Sequence, residues 1–201
     1  MSQRFFITTP IYYVNDKPHI GHAYTTIVAD VLTRFHRLNQ EETFFLTGTD
    51  EHGSKVAETA KQLKKSPQQL CDENSQLFKQ VWEKLNIQYD YFIRTTEKRH
   101  IDALKKLLNN LNSAQIGNQK VIYPGSYKGL YCIGCEKFIT EKELKDGLCP
   151  NHLTKPQVLE EKNYFFRLSE FLKPVEKLIK DGKMKIFPEE RKAETLGLLA
   201  Q

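Results

Sequence analysis

The sequence predicts an α/β protein, with a doubly wound parallel sheet in the first part of the chain and a smaller cysteine-containing module after it. Patterns typical of strand, loop, helix and strand follow one another within residues 4–47. This order is that of a βαβ unit, which pairs its two strands in parallel. A further strand and helix follow within residues 91–111, and beyond residue 118 the regular apolar spacing gives way to glycines, tyrosines and clustered cysteines.

The composition is that of a globular protein. Of 201 residues, 39% are hydrophobic and 27% are charged, and no apolar run approaches the roughly 20 residues that a transmembrane helix needs. The first residues become polar too quickly for a secretory leader, so we expect a cytoplasmic protein with no membrane partner. The net charge of +5 is compatible with RNA as a partner, although lysines spread along helical patterns are typical of solvated helix faces.

Residues 4–47 carry the first βαβ pattern. A β-rich run at residues 4–9 ends at Pro10, and the polar stretch Asn15–Pro18 is typical of a loop. From Gly21 apolar residues recur three or four positions apart, which predicts a helix with one apolar face. The residues of this stripe are Ala23, Ile27, Val28, Val31, Leu32, Phe35 and Leu38. The run Thr43–Thr47 predicts the second strand.

A second step of the same architecture begins at Ser66. Serine before Pro67 is typical of an N-cap and a first helical position. Cys71 lies on the apolar stripe of this helix, so we expect it to be a small core residue rather than a reactive thiol. A strand at Tyr91–Thr95 and a helix with regularly spaced leucines after it complete the step.

The polar segment Asn109–Asn118 predicts a domain boundary, with residues 1–118 and 119–201 as the two domains. In the second domain, Tyr164–Leu168 is strand-like and Ser169–Gln201 is mostly helical. The interruptions of that helical pattern are Asp181–Gly182 and Phe187–Pro188.

The loop that opens the first helix contains Pro18-His19-Ile20-Gly21-His22. A helix N-terminus suits phosphate because its N–H groups are unpaired and its dipole is positive, and Gly21 allows a flat or anionic group to approach the backbone. His19 and His22 can both donate hydrogen bonds to charge that develops on a transferring phosphoryl group. Two alternatives are that the histidines are incidental to function, or that they bind a metal, although no third ligand lies nearby.

A second candidate site follows the second strand, at Leu46-Thr47-Gly48-Thr49-Asp50-Glu51-His52-Gly53. Ligands bind beyond the carboxyl ends of the strands in an open parallel sheet, so we expect both loops to line one crevice. Asp50 is either the N-cap of a helix that starts near Gly53 or an anchor for the ammonium group of an amino acid. His52 either orients that carboxylate or only completes the turn.

The cysteines form the third motif, Cys132-Ile133-Gly134-Cys135 and Cys149-Pro150-Asn151-His152. Two ligands separated by two residues form a short knuckle that directs both at one ion, and glycine and proline permit the tight turns. Three thiolates and one imidazole make a closed tetrahedral site, which predicts structural zinc. The alternative is that the cysteines are reduced and bind no metal.

Together these motifs resemble those of class I aminoacyl-tRNA synthetases, and of methionyl-tRNA synthetases in particular. The segment from Thr8 to His22 resembles the first signature of the class, and Thr47–Gly53 resembles the corresponding loop of the methionine enzymes. The cysteine pairs and the segment Asn163–Phe166 resemble their connective insertion. The resemblance extends from Arg4 to the end of the sequence and implies half of a Rossmann-type catalytic domain with an inserted zinc-knuckle connective domain.

The resemblance also implies an activity, which is the ATP-dependent activation of L-methionine to methionyl-adenylate and its transfer to tRNA(Met). The implied partners are ATP with Mg2+, L-methionine and tRNA(Met), with no DNA. The implied site residues are His19, Gly21 and His22 for ATP, with His19 and His22 as the catalytic pair; Ile11, Tyr13 and Asp50 for methionine; and Cys132, Cys135, Cys149 and His152 for structural Zn2+.

Two parts of such an enzyme have no counterpart here, the Lys-Met-Ser-Lys-Ser loop of the second catalytic half and the helical anticodon-binding domain. Lys183-Met184-Lys185 lacks the serines of that loop. The sequence stops within a helical pattern, so we expect a truncated ligase that is inactive alone. The alternatives are a free-standing nucleotide-binding protein and a zinc-knuckle RNA-binding module.

Overall fold

The computed structural model describes residues 4–200, which form two compact units that divide between Lys105 and Lys106. The division falls inside one helix, Lys98–Ser113. The predicted domain boundary at residue 118 separates a catalytic part from an insertion and stays a prediction. The first and last residues of the predicted domains, 1 and 201, lie outside the described residues.

A four-stranded parallel sheet forms the centre of the first unit. Its strands are β1 (Arg4–Thr8), β2 (Tyr12–Tyr13), β3 (Glu42–Asp50) and β4 (Tyr91–Arg94). Strand β3 is central, because β1 and β2 pair with successive parts of it and β4 also pairs with it. The predicted parallel α/β sheet is therefore confirmed, and all the carboxyl ends lie at one edge.

Helices connect these strands, namely α1 (Ile20–Leu38), α2 (Ser54–Gln62), α3 (Pro67–Lys84) and α4 (Lys98–Ser113). Ser66 caps α3 as predicted, since its hydroxyl accepts the Gln69 N–H while the Gln69 side chain accepts the Ser66 N–H. Cys71 is buried in the core, as predicted. Burial raises the pKa of its thiol to about 11, which keeps it protonated at neutral pH.

Helix α1 forms where predicted, but its apolar stripe does not face the core of this unit. Its buried residues are Thr26, Ala29, Asp30 and Thr33. Their polar groups have partners, because Asp30 accepts the Gln88 N–H at 2.8 Å and the Arg34 Nε–H at 2.6 Å. The exposed side chains of α1 are Ile20, Tyr24, Ile27, Val28, Val31, Leu32, Phe35 and Leu38. The sequence predicts the helix and its apolar face, and except for Ala23 that face is exposed in this unit.

The second unit is mainly antiparallel. A short hairpin of β5 (Gln115–Ile116) and β6 (Gln119–Lys120) precedes a three-stranded sheet in the order β8, β7, β9. These strands are β7 (Ile122–Cys132), β8 (Lys137–Ile139) and β9 (Gln157–Phe166). A 3-10 turn at Glu141–Glu143 follows β8, and α5 (Ser169–Lys180) and α6 (Glu189–Leu199) follow β9 with the predicted interruptions between them.

Strand β7 occupies a segment in which the sequence shows glycines and tyrosines in place of regular apolar spacing. The glycines have another use, because a Cβ on Gly125 would lie 2.8 Å from the Phe165 ring and one on Gly129 would lie 2.9 Å from the Tyr127 ring. They leave space for aromatic rings within a ladder that pairs ten residues of β7 with β9. Within residues 4–200, no helix combines the length and the apolar character that crossing a bilayer requires.

Candidate active site and metal centre

The two predicted loops lie side by side at the carboxyl edge of the parallel sheet. Strand β2 belongs to the first loop and pairs with the end of β3, so that Tyr12 is opposite Thr49 and Tyr13 is opposite Asp50. In an open parallel sheet this edge is where ligands bind. The register thus brings a predicted methionine-site residue of each loop, Tyr13 and Asp50, into adjacent positions.

A cavity of about 380 Å³ opens beside the first loop. Ile11, Tyr13, His19 and His22 all line it, so four predicted site residues share one space. The other lining residues are Tyr12, Asn15, Asp16 and Lys17. Within the described residues, Asp50 is next to Tyr13 in the sheet but does not line this cavity.

His19 and His22 form a capping box at the start of α1. His19 Nδ1 accepts the Gly21 N–H at 3.1 Å, and His22 Nδ1 accepts the His19 N–H at 3.3 Å. Because each Nδ1 is an acceptor, each neutral ring carries its proton on Nε2. The rings stack with their centroids 3.6 Å apart. Two parallel imidazoles therefore offer Nε2–H donors at the N-terminus of one helix.

The pKa of His22 is lowered, first by burial and then by the neighbouring His19. A lowered pKa keeps the His22 imidazole neutral near pH 7, in the form that the capping hydrogen bond requires. A neutral imidazole with its proton on Nε2 is a hydrogen-bond donor without a net charge.

Gly21 has a steric role that the sequence did not reveal. A Cβ at this position would lie 3.0 Å from Cε1 and 3.1 Å from Nδ1 of His19. Glycine therefore leaves room for the His19 ring to fold back over the first turn of α1. The sequence suggested close approach of a ligand to the backbone, and the structure adds the placement of a histidine.

Tyr12 packs against the His22 ring and was not identified from the sequence. It is 6% exposed, and its ring centroid lies 4.6 Å from that of His22. Its hydroxyl bonds to Thr26 Oγ1 at 2.8 Å, and Phe78 packs against both rings. Alternation along the strand is the pattern that could have identified Tyr12. Ile11 and Tyr13 face the crevice, so Tyr12 between them faces the core.

Asp50 does not cap the helix that follows it. The N-cap of α2 is Gly53, which makes no side-chain cap hydrogen bond, and Asp50 is the last residue of β3. The alternative role of Asp50 as an N-cap is therefore wrong. His52 Nε2 lies 3.4 Å from the Thr95 carbonyl oxygen, so in this structure the ring contacts the end of β4.

The motif between Thr47 and Gly53 also contains a buried carboxylate, Glu51, which the sequence did not single out. Its side chain is 0% exposed and is paired with Arg94 at 2.7 Å. A glutamate in a polar loop is usually solvated, so the sequence carried no signal for this burial. Its partner follows 43 residues later, at the end of β4.

In the second unit, the four predicted metal ligands converge. The ligand atoms of Cys132, Cys135, Cys149 and His152 all lie within 4.8 Å of one another. The Sγ atoms of Cys135 and Cys149 are 3.4 Å apart, which excludes a disulfide, and His152 Nδ1 lies 3.2 Å from Cys135 Sγ and 3.8 Å from Cys149 Sγ. Backbone N–H groups of Cys135 and Gly134 lower the pKa of the Cys132 thiol.

These distances suit one tetrahedral ion. Zinc bond lengths to sulfur and nitrogen place ligand atoms about 3.5–3.8 Å apart in a tetrahedron. Gly134 contributes to the geometry, because a Cβ there would lie 2.8 Å from His152 Nδ1. The residues present can therefore hold a divalent metal with a Cys3His donor set.

Comparison with known proteins gives a consistent result. The model of the family described as tRNA synthetases class I (M) matches residues 5–155. A methionine-tRNA ligase of Thermotoga maritima is 44% identical over 200 residues, which cover 98% of this chain and 31% of the relative. One from Campylobacter jejuni is 45% identical over 195 residues, which cover 96% of this chain and 30% of that relative.

Among solved structures, Mycobacterium tuberculosis methionyl-tRNA synthetase in complex with methionyl-adenylate superposes with a TM-score of 0.89 at 38% identity. The match covers 98% of this chain and 39% of the solved one. The chain thus spans about a third of the length of the curated relatives that it matches. From the family model, the relatives and the parallel sheet together, this chain belongs to the class I tRNA synthetases of the methionine type.

Proposed function

We propose that this chain forms one wall of the active site of a methionine-tRNA ligase, which activates L-methionine with ATP and transfers it to tRNA(Met). The observation that carries the proposal is the capping box. It directs two Nε2–H donors to the start of α1, beside the cavity that Ile11 and Tyr13 also line. The solved relative with methionyl-adenylate supports the same chemistry. The chain spans about a third of the length of its relatives, so we assign the ligase activity to a protein of their full length and not to this chain alone.

In the proposed reaction, an oxygen of the methionine carboxylate attacks the α-phosphorus of ATP and pyrophosphate leaves. His19 and His22 donate from Nε2 to phosphate oxygens and neither transfers a proton, so they act by electrostatics and positioning. Gly21, in the first turn of α1, contacts the nucleoside of ATP in this proposal. Mg2+ accompanies ATP and neutralises phosphate charge.

On the amino-acid side, we propose that the Asp50 carboxylate binds the ammonium group of methionine. Ile11 and Tyr13 then contact the thioether side chain, which suits an apolar and aromatic wall. Both side chains are about two-fifths exposed, at 42% and 43%, so they are accessible to a ligand. The adjacency of Tyr13 and Asp50 in the sheet supports one amino-acid site served by both loops.

The test is methionine-dependent ATP–pyrophosphate exchange. This chain alone is expected to show almost none, and this sequence joined to the remaining two thirds of the Thermotoga maritima relative is expected to be active. In the joined protein, Asp50→Asn should raise the KM for methionine about tenfold or more, since it removes a charge-assisted hydrogen bond. The matched control is Asp102→Asn, at an exposed acid on α4 that does not line the cavity. Full exchange by the chain alone, or exchange with another amino acid only, would contradict the proposal.

We also propose that residues 1–118 are one half of the catalytic domain and that 119–201 belong to its connective insertion. The exposed stripe of α1 supports this, as does β1, which is an edge strand among the described residues and carries Phe6 at 64% exposure. Such a patch marks an interface. We propose that the second catalytic half covers it.

An association assay tests this arrangement. The remaining part of the Thermotoga maritima relative, supplied as a separate polypeptide, should bind the chain and slow hydrogen exchange in β1. Val31→Asp on the stripe should abolish binding, while Leu63→Asp, at a residue that is also exposed but lies after α2, should not. Equal binding by both variants would place the interface elsewhere.

For the metal centre, we propose structural zinc held by Cys132, Cys135, Cys149 and His152. The convergence of four soft and borderline donors supports zinc, and four protein ligands leave no position for water, so the metal stabilises the fold and takes no part in the reaction. Elemental analysis should find one zinc per chain, and Co2+ substitution should give the absorption of a tetrahedral thiolate site. A metal-free chain whose second unit remains folded would contradict the proposal.

A further inference from the structure

The Glu51 carboxylate is satisfied on both oxygens within the protein interior. Oε1 accepts Thr49 Oγ1–H and Arg94 Nε–H, each at 2.7 Å. Oε2 accepts the Arg94 NH2 group at 3.0 Å and the Thr96 hydroxyl. Arg94 thus grips the carboxylate with two nitrogens, which fixes its orientation as well as its position.

The backbone of Glu51 is held as well. Its N–H donates to Thr95 Oγ1 at 2.9 Å, and its carbonyl accepts the Cys71 thiol at 3.5 Å. Both neighbours in the chain, Asp50 and His52, are less buried and lie at the carboxyl edge of the sheet. The residue between them is therefore bonded through its side chain, its amide and its carbonyl to β4 and α3.

The burial of Glu51 is poorly explained by stability, even with Arg94, whose side chain is 22% exposed, as its partner. Removing a charge from water costs several kcal/mol, and well-packed apolar residues are often as stable as a buried ion pair. Arg94 also has a second partner, Asp72 at 2.5 Å, whose side chain is 53% exposed. Hydrogen bonds to Glu51 raise the pKa of Arg94, which favours the charged guanidinium. What the pair does provide is a fixed geometry at the end of β3.

We propose that Glu51 is a positioning residue, which fixes the backbone of residues 49–53 through Arg94, Thr49 and Thr96 and thereby aims Asp50 at the amino-acid side of the crevice. The inference rests on the proposed function, in which Asp50 binds the methionine ammonium group. It adds a residue that touches no substrate and acts through its neighbour.

Amide hydrogen exchange on the chain itself tests whether Glu51 holds the loop. Glu51→Gln keeps the size of the side chain and removes its charge, and should speed exchange of the amides at residues 49–53 and 95 about tenfold or more. The amides of β1 should change little. The matched control is Asp90→Asn, because Asp90 also pairs with an arginine, Arg37, and accepts a β3 amide, Phe45 N–H, but near the other end of β3. Unchanged exchange at 49–53, or equally faster exchange throughout the first unit, would overturn the proposal.

A second variant separates positioning from stability. Glu51→Met combined with Arg94→Met replaces the whole pair by apolar side chains. This double variant should unfold at a thermal midpoint close to that of the unsubstituted chain and above that of Glu51→Gln, because no unpaired charge remains buried. Exchange at 49–53 should stay fast, since Thr49 and Thr96 have lost their acceptor. A return to wild-type exchange would overturn the proposal, and so would failure of both variants to fold, which would make Glu51 a folding residue.

Activity of the joined protein gives the last readout. Both Glu51 variants should raise the KM for methionine about tenfold while the KM for ATP changes less than about twofold, and Asp90→Asn should change neither. Loose loops with an unchanged KM for methionine would overturn the role in binding. If the unsubstituted joined protein shows no methionine-dependent ATP–pyrophosphate exchange, the proposed ligase function fails. Amide hydrogen exchange then still decides whether Glu51 holds the loop.

Discussion

The two units of this chain are stabilised by different means. The first unit has a core of large apolar side chains, in which Phe45, Phe78 and Trp82 are all 0% exposed. Among the described residues of the second unit, the buried cluster at the sheet consists of Cys132, Ile139 and Cys149, two of which are predicted metal ligands. Leu130, Cys135 and Leu144 are partly buried against it. One unit therefore has a large apolar core, whereas the buried cluster of the other consists mainly of the proposed metal ligands.

The small size of this cluster raises the question of what stabilises the second unit. A cluster of three buried residues removes too little apolar surface from water to offset the conformational entropy of ordering the loops around it. The proposed zinc would supply the missing free energy, because ligands that are far apart in the unfolded chain converge only in the folded one. The two units should then respond separately to metal removal and to core substitution.

Removal of zinc should have the largest effect. Apparent zinc-binding free energies of about 10–16 kcal/mol in small zinc domains exceed what three buried side chains contribute. Chelation should therefore unfold the region around β7, β8 and the knuckles, while the first unit keeps its structure. Hydrogen exchange followed by mass spectrometry checks this, with the β3 amides as the internal control. Simultaneous loss of protection in both units would refute the separation.

Truncation of the core of the first unit should have the next largest effect. Phe45→Ala removes a fully buried ring and should cost about 3–5 kcal/mol of the free energy of unfolding. Phe44→Ala, the neighbour on β3 with a ring 45% exposed, should cost much less. Denaturant unfolding followed by the fluorescence of Trp82, the single tryptophan, reports on this unit alone. Equal costs at the two positions would show that burial does not decide the stability of this unit.

Much of the fold could be predicted because apolar spacing, capping and turn residues are local signals. Ser66-Pro67 marked the start of α3, and the parallel sheet followed from the order of strands and helices. The spacing of Cys132, Cys135, Cys149 and His152 was enough to predict four converging ligands, because each pair forms its own knuckle.

The rest depended on contacts between distant residues. The burial of Glu51 requires Arg94, which is remote in sequence, and no local pattern announces an ion pair of this kind. The stripe of α1 was assigned correctly to one helix face. Its exposure in this unit could not be predicted, because apolar spacing identifies a face that will be covered without identifying what covers it. The glycines of β7 gave no local sign of a strand, because the aromatic rings for which they leave space lie on another strand or two residues away in the chain.

A glycine substitution in the metal knuckle should have a smaller effect than metal removal. Gly134→Ala places a methyl group against the His152 ring, so the ring must shift from its position beside Cys135. We expect zinc affinity to fall about 10–100-fold, the range seen when support for a ligand is disturbed. Competition with a colorimetric chelator measures it. The control is Gly197→Ala, because Gly197 has open space around it in α6. Gly147→Ala is unsuitable because Gly147 has a positive φ. An unchanged affinity would show that His152 is free to adapt.

The smallest expected effect is a pH dependence of the free energy of unfolding of the first unit, which arises from His22. The folded protein holds His22 at a lowered pKa, whereas the unfolded chain has the ordinary value of about 6.5. As pH falls below that value, the unfolded state takes up a proton before the folded state does, so the free energy of unfolding decreases until the folded pKa is passed. Since His22 is only partly buried, the decrease should be small. Unfolding followed by Trp82 fluorescence between pH 7.5 and 5 should show a shallower pH slope in His22→Gln than in the unsubstituted chain. An identical slope would mean that the capping hydrogen bond at His22 Nδ1 does not distinguish the neutral ring from the charged one.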